Sequence, residues 1–251
     1  MASSLPILLL SVMLRPKVLC QSKLSGTSLS ETGHGLMNLF ASDLIALGKV
    51  LGMKVECAVT RADEPIGSAI GPILEAKECI SVLENGGLDD AVTEKACGIA
   101  GMLLEMSGRQ NGNELAHSIL SSGKAHSKFI EIVAAQGGSP DLRSEDLTPG
   151  KHWKDVHAKR SGYVQFIDNA GMTAIAKGAG APSDKGAGVL MFHKKGDFVN
   201  EGETLFRIYA ENQAKLDRSV DSARSRRPMY VSPEKTAKSD GNPILRTIVD
   251  L

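Results

Sequence analysis

The spacing of the apolar residues changes once along this 251-residue chain, and that change limits the folds open to it. Up to residue 136 apolar positions mostly step by three and four. Leu36, Leu39, Phe40, Leu44, Leu47 and Leu51 predict a helix over about 36–51, stopped near Gly52. Ile73, Ala76, Ile80 and Leu83 predict a second over 72–84, ended by Asn85-Gly86-Gly87. Val92, Ala96, Ile99, Leu103 and Met106 form a third stripe, in which Gly98 and Gly101 are expected to permit close packing. Shorter helices follow around Leu115 and Ile119 and around Phe129, Ile132 and Val133. Val55, Cys57 and Val59 alternate with Glu56 and Ala58, which predicts a short strand ending at Thr60.

From Gly137 to Gly150 the chain reads as a linker, and beyond it the period becomes two. Tyr163, Gln165 and Ile167 alternate with Val164 and Phe166, Val189 to His193 reads as a second strand, and Thr204 to Tyr209 as a third. Gly196-Asp197 is a turn, and helices are expected near 170–178 and 212–224. The pattern predicts α/β plus α+β, divided into an N-terminal segment 1–35, a helical and sheet-bearing part 36–138, a linker 139–150, a β-rich domain 151–231 and a polar tail 232–251.

The start of the chain carries one apolar run, Leu5 to Leu14. It is too short to span a bilayer. Its basic neighbours Arg15 and Lys17 follow it rather than precede it, so a buried strand or helix is favoured over a secretion signal. Residues 21–35 are polar and read as a loop. The four cysteines, Cys20, Cys57, Cys79 and Cys97, contain no CxxC pair, and Cys57 and Cys97 sit in apolar patterns. A reduced, cytoplasmic compartment is the expectation, with no membrane partner. Lys plus Arg equals Asp plus Glu at 29 each, and aromatic residues make up only 4%, which argues against a nucleic-acid surface.

The stretch Asp63-Glu64-Pro65-Ile66-Gly67-Ser68-Ala69-Ile70-Gly71-Pro72 is the most informative part of the chain. A strand end feeds a Gly/Pro turn and then a helix start, the position where α/β sheets place ligands. Glu75 and Glu78 lie near one face of the following helix. Turn carbonyls with one carboxylate would make an oxygen cage for a hard cation. A tight turn beside a solvated acidic face is the plainer alternative. A second glycine-rich stretch, Lys177 to Gly188, fails both the GxxxxGK[ST] and GxGxxG patterns and reads as a mobile hinge or lid, with Lys185 able to place a charge over an anionic substrate. The histidines His117, His126, His152, His157 and His193 show no metal-ligand spacing. Nor does the order of residues assign any catalytic group.

Several separated motifs carry a family resemblance. Thr60 to Glu78 resembles the T-D-x-x-Q-P-[LI]-G-x-[AG]-[VI]-G-x-[AI]-L-E-[AV]-x-[ED] stretch of the pyrimidine-nucleoside (thymidine) phosphorylase family, in the form of its AMP phosphorylase-like (type 2) branch. Arg160 to Val164, Ile167 to Asn169, Gly180 to Gly188, Lys195 to Gly202 and Leu205 to Glu211 follow in the family's order. The resemblance covers roughly residues 36–231 and the family's C-terminal half.

It implies a partial α/β catalytic domain with helices, then a C-terminal β-rich domain. The implied reaction is phosphorolysis of a pyrimidine nucleoside or a nucleoside monophosphate to free base and sugar 1-phosphate, with phosphate as co-substrate and a homodimer as the assembly. The family's phosphate-binding glycine loop, Lys-His-Ser motif and substrate arginine find no match in residues 1–35, which leaves the chain expected to be inactive alone. Ser11, in Leu10-Ser11-Val12-Met13, is the ribose- or base-contacting residue the resemblance offers, while Lys185 is a candidate only from the glycine-rich stretch itself. Some relatives hold a potassium ion on this turn, and the matching positions are Ile66, Ala69 and Glu78. The alternative is a non-catalytic barrel-sandwich carrier module, because Lys195 to Leu205 also looks like half of a biotinyl or lipoyl hairpin, though without a Met-Lys-Met triplet.

Overall fold

The computed structural model describes residues 17–24, 31–61, 64–88, 90–236 and 244–248. It is a mixture of helices and sheets, resolved into two units that interleave along the sequence. One takes the described residues up to 61 together with 94–116 and 244–248; the other takes 64–93 and 117–236. The segment 139–150 therefore lies inside the second unit.

In the first unit, strand β1 (Lys17–Leu24) runs parallel to β2 (Lys54–Arg61), with Lys17 opposite Lys54. Strand β10 (Ile244–Ile248) pairs antiparallel on the other side of β2. Helix α1 (Glu31–Val50) contributes Ala41 and Ile45 to a small core with Val55 and Cys57 of β2. Two of the expectations change here. Residues 21–24 are strand, and 31–35 belong to α1, although they are polar and lack periodicity. The expected helical series is only partly the buried face: Leu39, Phe40, Leu47 and Leu51 are exposed, and the chain buries Ala41, Ile45 and Gly48 instead. The apolar run Leu5–Leu14 and Ser11 within it lie outside the described residues.

Helix α3 (Ala91–Met106) and helix α4 (Gly112–Ser121) follow. A Cβ on Gly101 would come within 2.6 Å of the Asn113 amide nitrogen, and one on Gly112 within 2.1 Å of the Gly101 carbonyl oxygen. Gly101 thus does permit the close approach expected from the sequence.

The second unit holds two sheets. One has the order β3-β6-β8-β4, all antiparallel, from β3 (Ala69–Ile70), β4 (His152–His157), β6 (Gly188–Met191) and β8 (Thr204–Ala210). The other has the order β7-β5-β9, from β5 (Gly162–Ile167), β7 (Phe198–Val199) and β9 (Met229–Ser232). Helices α6 (Asn169–Ala179) and α7 (Gln213–Arg226) pack with them around a core in which Val164, Met172, Ile175, Val189, Val199 and Ile208 are fully buried. Asp168 caps α6 by accepting from the Ala170 amide at 3.0 Å, and Asn212 caps α7 from the Lys215 amide at 3.0 Å. Where the two helices meet, the buried Ser219 hydroxyl donates to the Ile175 carbonyl at 2.7 Å, opposite Gly178. Helix α2 (Pro72–Glu84) and helix α5 (Lys124–Ala135) complete the unit.

Two readings of loops are corrected. The segment 139–150 is not a slack linker: Ser144 donates its amide (3.0 Å) and its hydroxyl (2.5 Å) to the Glu84 carboxylate, and Lys77 of α2 donates to the Leu147 carbonyl at 3.3 Å. The stretch Lys177–Gly188 is not a free hinge. Lys215 pairs with Asp184, the Gly186 amide donates to Glu211 at 2.9 Å, and Ala187 is fully buried. Its glycines serve contact rather than motion, since a Cβ on Gly188 would lie 2.2 Å from the Ile70 carbonyl. No helix among the described residues is long and apolar enough to cross a membrane.

Gly71 crosses Ala187 and Gly188 at the end of β3. Its φ is +128°, and an added Cβ would lie 2.4 Å from the Ala187 carbonyl oxygen. Gly71→Ala is expected to cost about 2–4 kcal/mol in urea unfolding followed by circular dichroism. A loss below about 0.5 kcal/mol would show that the crossing relaxes freely. On β4, Asp155 accepts two bonds from Arg207 of β8 (2.6 and 2.9 Å), and the guanidinium lies 4.0 Å from the centre of the Trp153 ring. The Arg207 bonds hold the Asp155 carboxyl below its ordinary value of 3.8. The pair therefore contributes stability above that pH and loses it as pH falls through the lower folded value. Asp155→Asn should remove this part of the acid dependence, so the stability gap between wild type and variant should shrink below pH 3.8; a gap that stays constant there refutes the assignment.

Candidate functional site

The turn between β2 and α2 is where the chain's chemistry concentrates. Pro65, Ile66 and Gly67 bend the backbone so that three successive carbonyls face inward. The Lys194 ammonium, delivered by the loop after β6, donates to all three: Pro65 at 2.6 Å, Ile66 at 3.3 Å and Gly67 at 2.6 Å. Three acceptors use three N–H donors, which only the protonated form of lysine has. The end of β6 and this loop also grip the turn through main-chain donors. The Met191 amide donates to the Ser68 carbonyl at 2.7 Å, and the Lys195 amide donates to Glu64 at 3.0 Å. Asp197 accepts from the Lys194 amide at 2.8 Å and fixes the loop's own bend.

Glu75 and Glu78 work from α2. Glu75 accepts from the Gly71 amide at 2.9 Å, closing the first turn of the helix, and Glu78 reaches back to the Ser68 amide at 2.6 Å. Gly67 makes room for that carboxylate, since a Cβ there would lie 2.1 Å from Glu78 Oε2. Burial pushes the Glu78 carboxyl above its ordinary value, against the opposing pull of the Ser68 amide and the Lys194 charge. Burial likewise draws Lys194 below its ordinary value, opposed by Glu64, Glu78, Asp90 and Asp197. The site is a partly buried set of charges whose members compensate one another.

The expected residues distribute unevenly. Ile66 and Glu78 meet at this turn, and Ala69 begins β3 beside it. The set does not fit an added metal ion as it stands, because the inward carbonyls already surround the Lys194 ammonium and Glu78 is bound to a backbone amide. Among the described residues no group of three His, Cys, Asp or Glu side chains is placed to hold a metal. Lys185 is exposed; its carbonyl accepts from the Ile73 amide at 3.1 Å, which sets it beside the start of α2, and its ammonium donates to Pro182 at 3.4 Å. His152, His157 and His193 contact Gln213, Thr204 and Glu203 respectively.

Sequence reasoning missed Lys194, because Lys194-Lys195-Gly196-Asp197 reads as an exposed turn. The available signal was the acidic Glu64 and Glu78 flanking a carbonyl-rich turn, which calls for a cation.

Comparison with known proteins agrees with the motifs. Residues 163–229 match the model of the pyrimidine nucleoside phosphorylase C-terminal domain. The AMP phosphorylase of Pyrococcus furiosus is 47% identical over 194 residues, covering 76% of this chain and 39% of that protein. The AMP phosphorylases of Methanospirillum hungatei (45% identical, 76% of this chain and 38% of that protein) and Methanococcoides burtonii (43%, 82% and 41%) are similar. The aligned region thus spans about two fifths of the length of these relatives. The carrier alternative gains no support from these matches, or from a hairpin whose Lys194 is bound to the turn. The chain therefore carries a pyrimidine nucleoside phosphorylase C-terminal domain at 163–229 and is similar, over about three quarters of its own length, to the AMP phosphorylases.

Proposed function

We propose that this chain carries the C-terminal part of a phosphorylase acting on a nucleoside monophosphate such as AMP. The identity to AMP phosphorylases over 194 residues carries the reading. In the reaction a phosphate oxygen attacks the anomeric carbon, the glycosidic C–N bond breaks, and its electrons leave with the base, which must be protonated or otherwise stabilised. The products are the free base and a sugar 1-phosphate. In this reading the Lys194-clamped turn fixes the start of α2. Lys185, beside that start, is the residue we assign to the anionic end of the substrate. Ser11 is the second proposed contact. A homodimer, a cytoplasmic setting and a role in nucleotide salvage belong to the same reading. Thymidine is the competing substrate, favoured only by the name of the matched domain.

Base release from AMP, CMP and thymidine in the presence of phosphate, followed by chromatography, tests this. The purified chain alone is expected to release none. Exchanged for the matching segment of the Pyrococcus furiosus enzyme, it should support release, with AMP ahead of thymidine. Lys185→Ala in that chimera should raise the KM for AMP about tenfold, the loss of one charged contact. A soluble chimera that is inactive on all three substrates, beside an active parent, would sink the proposal; thymidine ahead of AMP would move the chain to the nucleoside branch.

A further inference from the structure

We propose that the Lys194 ammonium is the resident cation of the Pro65–Gly67 turn, and that removing it opens a site for potassium or ammonium. The inference rests on the geometry of the turn alone and holds whatever the substrate of the enzyme.

Three observations carry it. First, three successive carbonyl oxygens converge on one nitrogen at 2.6, 3.3 and 2.6 Å. Carbonyls pointed at a common centre repel one another unless a positive charge sits between them, and a turn does not adopt this arrangement for its own sake. Second, acidic groups back the site. Glu78 is held to the Ser68 amide, and Glu64 to the Lys195 amide one residue from Lys194. Oxygen donors with carboxylates nearby are the environment of a hard cation. An alkylammonium head and a potassium ion are of similar size, and both are satisfied by carbonyl oxygens. Third, the cation is covalently part of the loop after β6, so the charge that orders the turn cannot be diluted or exchanged. A free ion costs binding entropy and depends on its concentration, whereas a tethered one is always present.

The prediction concerns ion dependence. Wild type should unfold at the same temperature in potassium chloride and in tetramethylammonium chloride of equal ionic strength, because no added ion enters the turn. Lys194→Ala leaves three carbonyls facing a gap and should lower the midpoint by about 4–10 °C. In this variant potassium or ammonium chloride should restore at least half of the loss, with saturation, and tetramethylammonium chloride should not, being too large. Lys194→Met, which fills the space without a charge, should be destabilised and should gain nothing from potassium. Hydrogen exchange of the 64–71 peptide provides a local readout: its protection should fall in Lys194→Ala and return with potassium.

Three results would overturn the proposal. One is a saturable potassium-specific stabilisation of the wild type, which would mean that the turn takes an added cation beside the lysine. Another is a Lys194→Ala chain as stable and as protected at 64–71 as wild type. The third is a loss in Lys194→Ala that neither ion reverses, which would make Lys194 a packing residue. Should Lys194→Ala fail to fold, the wild-type comparison and Lys194→Met still decide the question, the latter by responding or not responding to potassium.

Discussion

Backbone carbonyls in a tight turn can face solvent, face a donor, or face one another, and the last requires a positive charge. In the second unit that charge is Lys194, and much of the local order follows from it. With the Pro65, Ile66 and Gly67 carbonyls fixed, the Ser68 carbonyl is free to accept from Met191, which starts the pairing of β3 with β6. The Ser68 amide is then aimed at Glu78, and the Gly71 amide at Glu75, so α2 begins where the turn ends. A single half-buried ammonium thus sets the end of one sheet and the origin of one helix. The lysine is also costly to bury, which is why four carboxylates act on it and why its proton is held less tightly than usual.

Most helices were legible because their apolar residues repeat over three turns or more. Val92, Ala96, Ile99, Leu103 and Met106 gave α3 almost to the residue, and Pro72 with Asn85-Gly86 marked both ends of α2. The strands were less legible. His152–His157 reads HWKDVH, with charges where alternation should show, because Asp155 is paired to Arg207 across the sheet and Trp153 lies under the guanidinium. The two-residue strands Ala69–Ile70 and Phe198–Val199 are too short for any period to appear. Met229–Ser232 follows three polar and proline residues and takes its pairing from β5, a contact that no local pattern encodes.

The candidate site divides in the same way. The turn and its glutamates were visible as a motif, since glycine and proline constrain the backbone locally. Their partner was not, because Lys194 lies 129 residues from Pro65 and its immediate neighbours describe only a bend. The glycine-rich stretch 177–188 was misread for a related reason. Glycine in a sequence signals either freedom or crowding, and only the tertiary neighbours decide; here Gly188 is crowded by Ile70 and Leu74, and Ala187 is fully buried.

The interleaving of the two units has a consequence for the order in which the chain can assemble. Strand β3 and the turn before it leave the ribosome early, but their partners at 188–194 emerge more than a hundred residues later. At typical synthesis rates of about 5–20 residues per second, the turn waits roughly 6–26 s for the lysine that orders it. During that interval the inward carbonyls have only water, and the edge of β3 stands unpaired. The first unit faces no such delay over 31–58, where α1 and β2 are neighbours in sequence and can pack as they appear. Lys194 is thus the residue whose arrival closes the turn of the second unit, whereas the sheet of the first unit is completed later still, when β10 emerges to pair with β2.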